Sequence, residues 1–80
     1  MKPRTVRRFH VYLRPEPEGG FTVAVPALPG CVTYGRDLRE ASAMADDAIR
    51  GYLISLRKHG ENIPSDTGAL LTSVDVMVRG

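Results

Sequence analysis

The stretch FTVAVPALPGCVTYG, residues 21–35, joins two short strands through a stiff corner. Phe21, Val23 and Val25 alternate with Thr22 and Ala24, the period-two pattern of a strand buried on one face. Pro26, Leu28, Pro29 and Gly30 then break the pattern. Proline offers no amide hydrogen to a ladder and glycine permits a sharp turn, so PALPG is expected to be a rigid corner, not a flexible linker. A short strand from Cys31 to Tyr34 follows, ended by Gly35.

The reading extends outward in both directions. Before this stretch, residues 5–14 alternate, with Arg7, Phe9, Val11 and Leu13 on one face and Arg8, His10, Tyr12 and Arg14 on the other. The segment PEPEGG, residues 15–20, has the proline and glycine content of a hairpin turn. After it, Asp37 is a good helix N-cap, with Glu40 placed so that its carboxylate can reach back to the cap amide. Leu38, Ala41, Ala45, Ala48, Ile49, Tyr52, Leu53 and Leu56 recur at three- and four-residue steps, which predicts a helix of about 21 residues. Arg57, Lys58 and His59 suit the negative end of its dipole, and Gly60 is the natural C′ residue.

Residues 61–72 read as a loop. Residues 73–78 alternate again, with Val74, Val76 and Val78 on one face, and predict a last strand. The order is βββαβ, an α+β fold. Three consecutive strands with tight connections form an antiparallel meander. The helix then carries the chain over, right-handed, to a final parallel strand. One long helix covers one face of a mainly antiparallel sheet and leaves the other bare.

Eighty residues (1–80) are expected to form a single domain with a thin core. The 42% apolar and 25% charged composition is that of a globular chain. No apolar run approaches the roughly 20 residues of a membrane span, and no apolar segment follows the basic start as in a secretory signal. A cytoplasmic location fits the lone Cys31, which forms no disulfide within the chain.

The residues supply no catalytic constellation. Cys31 with His10 is the nearest approach to a thiol site, but a small buried thiol beside a rigid corner is the simpler reading. His59 reads as a cation at a helix C-terminus. One Cys and two His cannot build a Cys/His metal centre. Asp46 and Asp47 lie about 100° apart around the helix, so they do not converge on a metal as a nuclease requires; with Arg50 they read as surface ion pairs. No phosphate-binding loop is present. No catalytic residue, metal ligand or cofactor is assigned.

One surface invites a partner: the uncovered sheet face, where Arg8, His10, Tyr12 and Arg14 form a cationic stripe with an aromatic. Thr22, Ala24, Asp75 and Met77 are expected beside it. Arg and Tyr are enriched at protein hot spots, and the same stripe suits self-association. An RNA reading rests on stacking against Tyr12 and cations on phosphates, but one aromatic is thin for it. A formal charge of +2 and a pI near 9.0 are mild for a nucleic-acid binder.

Residues 21–64 resemble the N-terminal domain of HicB-type antitoxins, the partners of HicA RNA-cleaving toxins. The likeness runs through FTVAVPALPGCVTYG, then REA at residues 39–41, Ala48-Ile49, Tyr52-Leu53, Gly60 and Ile63-Pro64. It implies a partial RNase H-like fold without the RNase H carboxylates. It also implies neutralisation of a HicA-like toxin by direct binding, and assembly as homodimers or homotetramers. Many members add a C-terminal DNA-binding domain; the chain carries none, so operator binding is not expected of it. Ala27 stands where the family often has an acidic residue, and the mild basicity differs from the acidity expected of an inhibitor of a basic toxin. The alternatives are an orphan single-domain RNA binder using the exposed sheet face and, behind it, a degenerate nuclease.

Overall fold

The computed structural model describes residues 6–80. Strands β1 (Tyr12–Pro15), β2 (Phe21–Ala24) and β3 (Val32–Gly35) precede one helix, α1 (Leu38–Lys58). They form an antiparallel meander in the order β1-β2-β3, as the tight connections predicted. Tyr12 pairs with Ala24 and Pro15 with Phe21, while Phe21 also faces Gly35 and Ala24 faces Val32.

The first strand is shorter than its alternation predicts. β2 ends at Ala24, opposite Tyr12, because Val25 already belongs to the corner, so among the described residues no strand lies beside residues 6–11. Thr5 lies outside the described residues. Pro15, expected to open the turn, closes β1 instead. Glu16 donates its amide inward to the Gly20 carbonyl (2.9 Å), so the alternation of the ladder turns the Pro15 nitrogen to the free edge, where a missing N–H costs nothing. β3 begins at Val32, since the Cys31 amide is spent on the Leu28 carbonyl within the corner.

The helix has the predicted length, 21 residues. The Asp37 carboxylate accepts the Glu40 amide at 2.8 Å. Glu40, however, reaches past the cap: its Oε1 accepts the Arg36 amide at 2.9 Å, while Oε2 pairs with the Arg36 guanidinium at 2.8 Å. The arginine side chain draws the carboxylate one residue upstream of its expected partner. These bonds hold the Glu40 carboxyl below its ordinary range, the Arg36 amide contributing most. At the other end, Gly60 donates to the Arg57 carbonyl and Glu61 to the Leu56 carbonyl, the paired bonds of a Schellman motif. Gly60 adopts φ +68°, which a side chain would strain.

Two clusters make the core. Val23, Ala41 and Ala45 pack with Val11, Leu13 and Phe21; Val25, Leu28 and Cys31 pack with Phe9, Ala48, Ile49 and Tyr52. The two buried alanines let the helix approach the sheet closely. At Gly35 the approach is tightest, because a Cβ there would overlap the backbone nitrogen and Cα of Ala41. Leu38, expected on the apolar face, is exposed, since contact with the sheet begins at Ala41. Of the two acids expected to pair with Arg50, Asp46 does so at 2.8 Å.

The predicted last strand does not join the sheet. Residues 69–80 form no regular element and are exposed throughout. Alternating valines supply strand propensity, but a strand exists only where a neighbour completes its hydrogen bonds, and here the chain turns away at Thr67-Gly68. The meander and helix stand as read; the closing parallel strand is absent from this sheet.

Candidate protein-interaction surface

The bare face of the sheet follows from the register. Cross-strand partners share a face, so Tyr12, Ala24 and Val32 lie in one row and Arg14, Thr22 and Tyr34 in the next. Phe9, Val11 and Leu13 turn to the core as expected. Tyr12, Arg14, Val32 and Tyr34 are exposed.

The predicted stripe is thereby divided. Tyr12 and Arg14 stand on β1, whereas Arg8 and His10 precede the strand. Arg8 is exposed, but His10 is half-buried and engaged. The Asp66 Oδ2 atom accepts both the His10 amide at 2.6 Å and a contact from the ring Nδ1 at 2.9 Å. That double contact lowers the Asp66 carboxyl, with the amide the larger cause. His10 thus fastens the loop after the helix to the chain ahead of β1. Asp75 and Met77, expected beside the stripe, lie in the exposed segment outside the sheet and do not contribute.

Two residues of this face were not anticipated: Val32 and Tyr34. The signal was present, since both alternate with buried Cys31 and half-buried Thr33. Tyr34 is held in place by its hydroxyl, which donates to the Gly19 carbonyl at 2.9 Å. Beside it, the Thr22 hydroxyl donates to Glu16 Oε1 at 2.6 Å, and the same oxygen lies 3.8 Å from Arg14 Nε. The face therefore offers two tyrosines on the outer strands, a valine, and a cation partly countered by Glu16. It suits recognition through apolar contact and a cation.

The corner is built for packing. Leu28 donates to the Val25 carbonyl, Cys31 to the Leu28 carbonyl and Val25 to the Cys31 carbonyl, at 3.0–3.1 Å. This ring of bonds turns the Leu28 side chain inward, where it has no exposed surface. Gly30 makes the turn at φ +79°. The Tyr52 hydroxyl donates to the Pro29 carbonyl at 2.8 Å and ties the corner to α1. Cys31 is buried among these groups, and burial pushes its thiol up from the ordinary value, away from nucleophilic thiolate. Among the described residues, no three His, Cys, Asp or Glu side chains gather as a metal site, and no helix is long and apolar enough to cross a membrane.

A meander closed by this corner, a glycine in contact with the helix, and a capped 21-residue helix are features that family comparison can test. Residues 9–76 match the model described as HicB_like antitoxin of bacterial toxin-antitoxin system. The chain belongs to the HicB-like antitoxin family. It is also similar to the UPF0150 protein Ta0767 of Thermoplasma acidophilum, with 42% identity over 65 residues, 81% of this chain and 94% of that one. The HicB-like family is described by an antitoxin role, not by a reaction, and membership implies a toxin as the counterpart. The motif residues Pro26, Leu28, Pro29, Gly30, Cys31 and Gly35 all fall in the corner and the strand after it, while Asp37, Glu40 and Gly60 bound the helix.

Proposed function

We propose that this chain neutralises a HicA-like RNA-cleaving toxin by direct protein–protein binding, as a single HicB-like domain over residues 1–80. It would do so in the cytoplasm, as a homodimer or homotetramer. The observation that carries the reading is the open sheet face of a HicB-like antitoxin fold, with Tyr12, Arg14, Val32 and Tyr34 left free of the core. Tyrosine and arginine are enriched at protein hot spots, and Val32, next to Tyr34 on β3, extends the apolar area of the face. The test is co-expression with the product of the neighbouring gene, followed by co-purification and a growth assay. A stable complex and relief of toxicity are expected, both weakened by Tyr34→Ala with Val32→Asp. A toxin that stays active and unbound would overturn the proposal.

A second reading is favoured by one feature, the presence of both Tyr12 and Tyr34 on the same face, one on each outer strand. Two aromatics with Arg14 come closer to a single-strand stacking platform than one does. It predicts salt-dependent oligonucleotide binding that falls on Tyr12→Ala and Arg14→Ala. Binding unchanged by both substitutions would remove it.

A further inference from the structure

The segment that failed to join the sheet is the least satisfied part of the molecule. Val74, Val76 and Val78 are 78%, 71% and 82% exposed, and Leu70 and Met77 stand even further out. Regular alternation of large apolar residues has no use in water; it is the pattern of a strand with one face on a core. The radius of gyration, 15.4 Å, exceeds the roughly 12 Å expected of a compact chain of this length, as an outstretched arm requires.

A place for such a strand exists. α1 packs mainly on β3 and β2 and leaves β1 only half-covered on that side. Between the helix and the chain through β1 runs a groove of about 1020 Å³, its walls including Phe9, Val11, Leu13, Ile49 and Leu53. Among the described residues β1 pairs only with β2, so its outer edge presents the Leu13 amide and carbonyl and the Pro15 carbonyl to a further strand. Valines at alternate positions fill such a site while the backbone completes the ladder. Arg7 and Arg8 on the rim suit Asp75 on the arm.

We infer that this groove receives the C-terminal arm of a second copy, residues 73–78 adding to the β1 edge in a reciprocal exchange. The arm belongs to another copy because its own chain directs it away. Asp66 is fastened to His10, and the turn closed by the Ala69 amide on the Asp66 carbonyl (3.2 Å) sends the following residues off the body. Because β3 runs parallel to β1, a strand entering after a right-handed crossover lies parallel to β1, and the partner's arm takes that place. Three valines per arm, at on the order of 100 Å² each, bury with the groove walls about 1200 Å² in two reciprocal contacts. That reaches the roughly 1200–2000 Å² of a specific interface. This surface is distinct from the bare sheet face and stands whether or not a toxin binds there.

The test is light scattering of the full chain over about 1–200 μM, with amide hydrogen exchange read at each concentration. A dimer is expected, with amides of residues 73–78 protected, and dilution should lose mass and protection together. A monomer with an unprotected arm throughout overturns the inference. So does an arm protected at constant monomer mass, which is closure on its own chain, or a dimer whose arm exchanges freely. Val74→Asp with Val76→Asp should yield a monomer with undiminished helical circular dichroism; a folded double variant that remains dimeric contradicts the exchange.

Discussion

Leu28→Ala separates a packing role for the PALPGC corner from a partner-recognition role. Leu28 has no exposed surface and lies among Val25, Cys31, Tyr52 and Leu53. Removing three carbons loses about 2.4 kcal/mol at ~0.8 kcal/mol per buried methylene. The bonded ring of the corner resists collapse into the space, so a residual cavity raises the loss to about 3–4 kcal/mol. For a chain of this size total stability is roughly 4–12 kcal/mol, so the variant forfeits a quarter or more of it. At about 4–8 °C per kcal/mol the melting temperature falls by ~12–30 °C. Urea unfolding followed by circular dichroism, at fixed protein concentration, measures the change. Pro29→Ala is the control: Pro29 is exposed and its carbonyl still accepts from Tyr52, so the change should stay near 1 kcal/mol or below. A Leu28→Ala loss under about 1 kcal/mol, with partner binding abolished, would refute the packing account.

Gly35→Ala should cost about 1–3 kcal/mol because its methyl meets the Ala41 backbone, and an unchanged melt would contradict the close approach. Cys31 should react with a disulfide reagent at pH 7 only as fast as the chain opens, so rapid labelling of native protein would place the thiol elsewhere. Asp66 and Glu40 have carboxyls lowered on folding, so their contribution to stability is full above the unfolded value of about 4 and fades as pH falls through the folded ones. Asp66→Asn should therefore flatten the acid limb of a stability–pH curve between pH 6 and 2; a limb of wild-type steepness would mean that the His10–Asp66 contact is not made in solution.

What the sequence disclosed was what is encoded locally. Asp37, Gly60 and the helical spacing between them need only a few neighbouring residues, and the helix emerged at its predicted length. The meander was legible for the same reason, because each turn carries its own glycine and proline. Strand ends were not. Alternation at residues 6–11 and 73–78 states a preference, whereas pairing depends on where another segment stops, and Val25 leaving the sheet decides the first case. The division of the cationic stripe was hidden too: His10 meets Asp66 across 56 residues, and neither side chain signals the other in the sequence. Tyr34 could have been placed on the bare face by counting from buried Cys31 in steps of one.

The contacts between elements join β1 to β2, β2 to β3, and α1 to both β3 and β2. All of them lie within residues 12–58, and most join neighbours along the chain. During synthesis at about 5–20 residues per second, the final twenty or so residues take ~1–4 s to add, while hairpins and helices form in microseconds. On a ribosome the meander has those seconds to assemble, and the helix folds onto it within microseconds of emerging, well before a second copy's arm diffuses in. Each new arm then meets a finished groove instead of competing for an unfinished one, so nascent chains are protected from tangling through the very segment that links mature copies.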